Sequence, residues 1–86
     1  MTRKDILVGC FENAIECDME YVGLLVQSPN KTLEMIIIPN EFIIDKLEHY
    51  EKAYDDDLCL KSCKDVKILN FTCADTLDEI ETDFLR

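Results

Sequence analysis

The chain has 86 residues, of which 48% are apolar, and its 19 acidic and 9 basic residues give a formal net charge of −10. This length predicts a single domain over residues 1–86 with one modest core. The charge excludes direct binding to nucleic acid, because neutralising phosphates requires lysine and arginine. It favours a basic protein surface as partner, although an acidic surface also serves plain solubility.

The N-terminal segment predicts a helix over residues 2–17. Thr2 and Asp5 have the spacing of a capping box, in which each side chain bonds the backbone amide of the other residue. Apolar residues then recur at intervals of three and four, the period of a helix buried on one side. The stripe expected to face the core consists of Ile6, Cys10, Ala14 and Cys17, with Leu7, Phe11 and Ile15 beside it.

Residues 21–27 and 32–38 predict two strands, which the turn at residues 28–31 joins into an antiparallel hairpin. The second strand is apolar on both faces, so we expect it to be covered on both sides or to lie centrally in a small sheet. Pro39 has no N–H to offer and should end the pairing. Asn40 is then expected to cap the helix that follows.

The central helix is predicted to run from Asn40 to the three consecutive aspartates at residues 55–57. It should fray there, because three like charges meet the negative end of the helix dipole. Its inward face is expected to contain Ile43, Leu47, Tyr50 and Tyr54, widened by Phe42 and Ile44.

Residues 58–60 predict a short edge strand, and residues 65–73 predict a longer strand. The apolar phase of the longer strand shifts after Ile68, which indicates a bulge or burial on both faces. Asp75 or Thr76 can cap a last helix over residues 77–85, with Leu77, Ile80 and Phe84 facing inward and Leu85 at the margin. The order αββα(β)βα predicts an α+β domain, with helices packed on a mainly antiparallel sheet.

The chain has five cysteines and one histidine. The odd number, the lack of a CxxC pair and the lack of a leader-like segment favour unpaired thiols in a reducing cytoplasm. A zinc site stays open as an alternative, with Cys59, Cys63, Cys73 and His49 as ligands, although buried thiols account for the same residues. No motif ties a nucleophile to His49, so we expect neither catalysis nor a cofactor.

Two acidic patches are the remaining candidates for a functional site. One is the run at residues 55–57 and the other is the last helix. Carboxylates on a helix or loop can be spaced like DNA phosphates and so occupy the basic groove of a nucleic-acid-binding protein. A solvated acidic face is the plainer interpretation. The candidate partner-binding residues are Asp55, Asp56, Asp57, Asp75, Asp78, Glu79, Glu81 and Asp83, where the last helix has only Arg86 as a basic neighbour.

Several segments between residues 20 and 83 resemble small acidic proteins encoded by phages and prophages of low-GC Gram-positive bacteria. The most specific segment is residues 46–61 (KLEHYEKAYDDDLCLK), and the resemblance extends to residues 21–23, 36–41 and 66–68, to Phe71 and to residues 75–81. It implies no activity at particular residues. Size, acidity and mixed α/β order are also similar to those of phage anti-CRISPR proteins, and this second likeness is one of type rather than of motif.

The sequence therefore predicts a non-enzymatic, phage-type inhibitor that presents an acidic surface to a host nucleic-acid-binding effector and does not bind membranes. One alternative is a small phage accessory or structural protein that acts as a homo-oligomer, such as a homodimer joined through an apolar face. A metal-binding regulator is a further alternative.

Overall fold

The computed structural model describes residues 1–84, and the predicted extension of the last helix to Leu85 lies outside them. Three α-helices and a four-stranded antiparallel sheet follow one another in the predicted α+β order. Their bounds are α1 Arg3–Glu16, β1 Tyr21–Gln27, β2 Leu33–Pro39, α2 Ile43–Ala53, β3 Cys59–Leu60, β4 Cys63–Ala74 and α3 Leu77–Phe84.

The sheet has the strand order β2-β1-β4-β3, so β1 lies in the middle and pairs on both sides. Leu24 lies opposite Ile36 of β2 and opposite Phe71 of β4. The predicted hairpin is confirmed, and so is the bulge after Ile68, because Leu25 pairs with Asn70 and Val26 pairs with Ile68. One residue of β4 is therefore extra at this point, which reverses the face on which its side chains lie.

The main core lies between one face of the sheet and helices α1 and α2. Leu7 and Phe11 of α1 are buried there with Val22 and Leu24 of β1 and Ile68 of β4. The ring of Phe11 meets that of Tyr50 on α2 edge-on, with 5.9 Å between the centroids. Aromatic pairs in this geometry contribute about 0.5–1.5 kcal/mol beyond the area they bury.

The predicted inward stripe of α1 is wrong by about one residue. Leu7, Phe11 and Ala14 are the buried residues, whereas Ile6 is 50% exposed and Cys17 is exposed. The predicted stripe and the buried stripe both contain apolar residues at helical spacing. Burying the stripe with the larger side chains removes more apolar surface from water. The capping box of Thr2 and Asp5 is present as predicted.

Strand β2 is an edge strand, which corrects the prediction of a central or doubly covered strand. Leu33 is 54% exposed and Met35 is 39% exposed, while β1 buries residues on both of its faces. The hydrophobic pattern could not show which strand of the hairpin is central. β1 and β2 are both apolar on both faces, so either could have paired with β4.

Asn40 does not cap α2, contrary to the prediction. Its side-chain amide donates to the backbone oxygen of Met19 at 2.8 Å and to the carboxylate of Asp18 at 3.1 Å. The chain first makes a 3₁₀ turn over Asn40–Phe42, and α2 begins only at Ile43. Asn40 thus joins the start of α2 to the segment before β1 rather than satisfying helix amides.

Ile43 and Tyr50 of α2 face inward, with Leu47 half-buried, as predicted. Tyr54 is also buried, but it lies just past the end of the helix in extended conformation. Phe42 and Ile44 do not widen this face, since they are 48% and 59% exposed. Phe42 belongs to the preceding 3₁₀ turn, whose residues follow a different period. Ile44 comes directly after the buried Ile43, and successive residues of a helix point in different directions.

Helix α3 covers the opposite face of the sheet and rests on Gly23 of β1. Ile80 is fully buried, and a Cβ placed on Gly23 would lie 2.5 Å from its Cγ2 atom and 3.3 Å from the ring of Phe84. A contact of 2.5 Å is shorter than carbon atoms tolerate, so any larger residue at position 23 must displace α3. Glycine is needed here for close approach rather than for an unusual backbone angle.

Gly23→Ala is expected to lower the free energy of unfolding by about 1–3 kcal/mol, because it overpacks the contact between β1 and α3. Chemical denaturation followed by circular dichroism measures the change. Gly9→Ala is the matched control, since a Cβ there meets nothing within 4 Å and replacing a helical glycine stabilises by roughly 0.5–1 kcal/mol. Equal stability of Gly23→Ala and the unsubstituted chain would show that α3 does not pack on Gly23 as described.

Candidate acidic interface

The outer face of α3 is a row of exposed carboxylates, which we call the α3 acidic face. It consists of Asp78, Glu79, Glu81 and Asp83 of the helix together with Asp75 just before it, all of them exposed. Thr76 begins the helix, because its side-chain oxygen accepts the backbone N–H of Glu79 at 3.3 Å. Ile80 anchors the opposite side of the helix in the core, so the acidic residues are held outward on a fixed element.

Most charges of the α3 acidic face are unpaired within residues 1–84. The only salt bridge among these residues joins Lys64 to Asp55, at the far end of β4. Asp78 and Glu79 lie in the first turn, where the helix dipole favours negative charge. Asp83 accepts a hydrogen bond from the hydroxyl of Thr72 at 2.9 Å, which ties the last turn of α3 to β4. Arg86, the predicted basic neighbour, lies outside the described residues.

Asp55 belongs to the architecture of the turn between α2 and β3. One carboxylate oxygen accepts the backbone N–H groups of Asp57 at 3.0 Å and Cys59 at 2.9 Å, and the other oxygen pairs with Lys64. The hydrogen bond from Lys64, followed by that from Cys59, lowers the pKa of Asp55 to about 2. Since its carboxylate is already occupied by groups of its own chain, Asp55 is a poor candidate for partner contacts.

Asp56 and Asp57 are exposed, but they lie far from the α3 acidic face. The turn is tied to the start of β4 at Lys64, and α3 is tied to Thr72. These two β4 residues are eight apart, which is about 27 Å of strand at 3.4 Å per residue. The two predicted acidic patches therefore lie at opposite ends of the molecule and do not form one continuous surface.

Lys64→Ala is expected to raise the pKa of Asp55 from about 2 towards the ordinary value of a carboxyl group, because it removes the largest cause of the shift. The lowered pKa contributes stability that is complete above the ordinary pKa and is lost as the pH falls towards 2. An NMR titration of the Asp55 carboxyl carbon measures the pKa directly. Lys61→Ala is the control, since it removes the same charge from a residue with no salt bridge among residues 1–84; an equal shift in both variants would refute the local pairing.

The predicted zinc ligands do not come together. Cys59 and Cys63 lie at β3 and the start of β4, whereas Cys73 lies near the other end of β4 beside α1. His49 is exposed on α2, next to the ring of Tyr50. Residues 1–84 contain no group of three histidine, cysteine or acidic side chains that could hold a metal ion.

The structure instead brings the thiols of Cys17 and Cys73 to Asn13 and places Cys10 beside Cys73, a grouping that sequence reasoning missed. The Asn13 amide donates to the sulfur of Cys73 at 3.6 Å and accepts from the thiol of Cys17 at 3.7 Å. Burial, and then the neighbouring Cys73, raises the pKa of the Cys10 thiol to about 12. A thiol with so high a pKa is rarely a thiolate, so Cys10 is a poor nucleophile. Only the fold, which lays α1 along β4, could have revealed this contact.

Two surface depressions flank β2, one at each end of the strand. The larger has a volume of about 660 Å³ and is formed by residues of the hairpin turn from Ser28 to Glu34. The smaller, of about 230 Å³, is lined by Glu20, Tyr21, Pro39, Asn40 and Glu41. Neither is lined by a histidine or a cysteine.

No helix within residues 1–84 combines the length and the apolar character that a membrane span requires. Comparison with models of protein families, with curated proteins and with solved structures found no match. The resemblance to phage-encoded proteins therefore stays a prediction from the segments quoted above.

Proposed function

We propose that the chain is a non-enzymatic binding protein that presents the α3 acidic face to the basic surface of a nucleic-acid-binding protein. Inhibitors that phages direct against host effectors, anti-CRISPR proteins among them, would act in this way. The observation that carries the proposal is the set of exposed carboxylates on a short, rigidly anchored helix, without a salt bridge among residues 1–84.

The spacing of these carboxylates suits a surface built for phosphates. Glu79 and Asp83 are four residues apart on the helix, which is about 6 Å along its axis at 1.5 Å per residue. Alternate phosphates of one DNA strand are separated by about 7 Å along the duplex axis, at 3.4 Å per step. Lysine and arginine side chains that bind alternate phosphates could therefore reach these carboxylates with small adjustments.

The net charge of −10 supports the same role at longer range. A strongly acidic protein is steered towards a basic groove, and this steering accelerates association. Salt at physiological strength limits it to about 8 Å. Capture of the partner should therefore weaken steeply as salt is raised, and a polyanion such as heparin should compete with it.

Glu79→Lys is expected to weaken capture of a partner from a bacterial lysate by about tenfold, the effect of losing roughly 1.4 kcal/mol of interaction. Asp56→Lys is the matched control, because it changes the net charge equally on an exposed residue far from α3, and it should weaken capture much less. The retained protein is identified by mass spectrometry after washing at increasing salt. Equal effects of the two substitutions, or the absence of any retained basic protein at low salt, would contradict the proposal.

A further inference from the structure

The exposed edge of β2 has backbone groups that point into solvent at three alternate residues. The hairpin is closed at one end by the bond from Ser28 N–H to Thr32 O at 2.9 Å, and at the other by the bond from Asn40 N–H to Glu20 O at 2.8 Å. Antiparallel pairs alternate between bonded and non-bonded. Even-numbered residues of β2 therefore bond β1, and the N–H and C=O groups of Leu33, Met35 and Ile37 point outward.

Pro39 fits this alternation. It is the last residue of β2 and has an odd number, so its missing N–H lies on the outward side, where no bond to β1 is lost. The proline therefore limits the length of the open edge without weakening the hairpin.

The opposite edge of the sheet is protected in a way that β2 is not. Beyond the short β3, three outward groups of β4 are bonded by other parts of the chain. The Ile68 N–H donates to Leu58 O at 2.9 Å, Arg3 donates to Leu69 O at 2.9 Å, and the Asn70 side chain accepts the Phe71 N–H at 2.8 Å. Among residues 1–84, no such bond reaches the outward groups of Leu33, Met35 or Ile37.

Before Pro39, the side chains of β2 also lack the usual protection of an edge strand. Natural edges are commonly blocked by lysine, by a bulge or by a proline within the strand. The seven residues of β2 contain one charge, Glu34, and pair with β1 without a register shift. In a chain of which 33% is charged, an edge with a single charge lets two copies approach with little local repulsion.

A second copy fits this edge in one register better than in its neighbours. Antiparallel pairing about a two-fold axis at Met35 places Leu33 opposite Ile37 of the second copy, so all three outward residues of each copy are bonded. Glu34 then faces Ile36 of the second copy. Pairing about Glu34 would instead set two like charges directly opposite each other, which is destabilising.

The ends of the strand supply complementary charges in this register. Lys31 is exposed in the turn before β2, and Glu41 is exposed just after it. Pairing about Met35 brings the turn that contains Lys31 to the end of β2 that Glu41 follows in the second copy. Both residues lie just outside the paired strands, so they bring opposite charges to the same end of the contact, and the two-fold axis repeats this at the other end.

We propose that two copies of the chain dimerise by antiparallel pairing of their β2 edges about Met35, which joins two four-stranded sheets into one. In this register residues 33–37 of the two copies pair with each other, so the contact is a single strand pair about 17 Å long, at 3.4 Å per residue. It is smaller than a standard interface of about 800 Å² per partner, so the dimer is weak and depends on concentration. The α3 acidic face plays no part in it, and the inference does not rest on the proposed function.

Met35→Lys is expected to weaken the dimer by at least about tenfold, since it places two charges at the centre of the contact. Sedimentation velocity over a wide range of protein concentration measures the dissociation constant. Ile6→Lys is the matched control, because Ile6 is 50% exposed on α1, and it should leave the constant unchanged. A chain that stays monomeric at every concentration, or a dimer that both substitutions weaken equally, would overturn the proposal.

A charge exchange tests the register without altering the core. Lys31→Glu and Glu41→Lys should each weaken self-association, and the double substitution should restore it. If only the net charge mattered, Glu41→Lys would strengthen the dimer, because it makes the chain less acidic. An equimolar mixture of the two single variants should form heterodimers, which native mass spectrometry resolves. Stronger dimerisation of Glu41→Lys, or no heterodimer in the mixture, would refute this register.

The response to salt distinguishes this dimer contact from partner capture through the α3 acidic face. Raising salt should strengthen the dimer, because it screens the repulsion between two copies that each carry −10, whereas capture through the α3 acidic face should weaken. If β2 binds an extended peptide from another protein while the chain itself stays monomeric, the edge serves a different occupant and the proposal of a second copy is wrong.

Discussion

The structure depends on one strand, β1, which is paired on both sides and packed on both faces. Val22 and Leu24 are fully buried beneath α1 and α2, and Gly23 lets Ile80 of α3 approach the other face. A small chain has little apolar surface to bury, and a strand covered on both faces buries the side chains of both. The acidic helix is held on the sheet by this contact, so the central strand and the candidate interface are physically linked.

The same arrangement explains why the two acidic patches have different characters. Asp55 folds its carboxylate back onto Asp57, Cys59 and Lys64, and thereby shapes a turn. Helix α3 packs its apolar side on β1 and leaves the carboxylates of the α3 acidic face in solvent. Both segments are rich in acidic residues. They differ in whether a backbone amide or a lysine lies within reach of the carboxylates.

Periodicity and turn chemistry predicted most of the fold but not its lateral order. The helices, the hairpin and the bulge after Ile68 follow from patterns within single segments. The position of β2 at an edge, the role of Asn40 and the inward face of α1 could not be predicted in this way, because each depends on a partner far away in sequence. For the candidate site, the exposure of the α3 carboxylates was foreseeable from the amphipathic pattern around Ile80. The pairing of Asp55 with Lys64 and the thiols around Asn13 required the tertiary structure.

Amide hydrogen exchange of the dilute chain, resolved by residue, tests the central position of β1 most directly. The account predicts slow exchange at Val22, Gly23 and Leu24, and an alternation along β2 in which Glu34, Ile36 and Ile38 are protected while Leu33, Met35 and Ile37 exchange quickly. Protection follows from bonds to β1 on one side of β2 and from their absence on the other. Uniform protection from Leu33 to Ile38 at low concentration, or exchange at Leu24 as fast as at Met35, would contradict it.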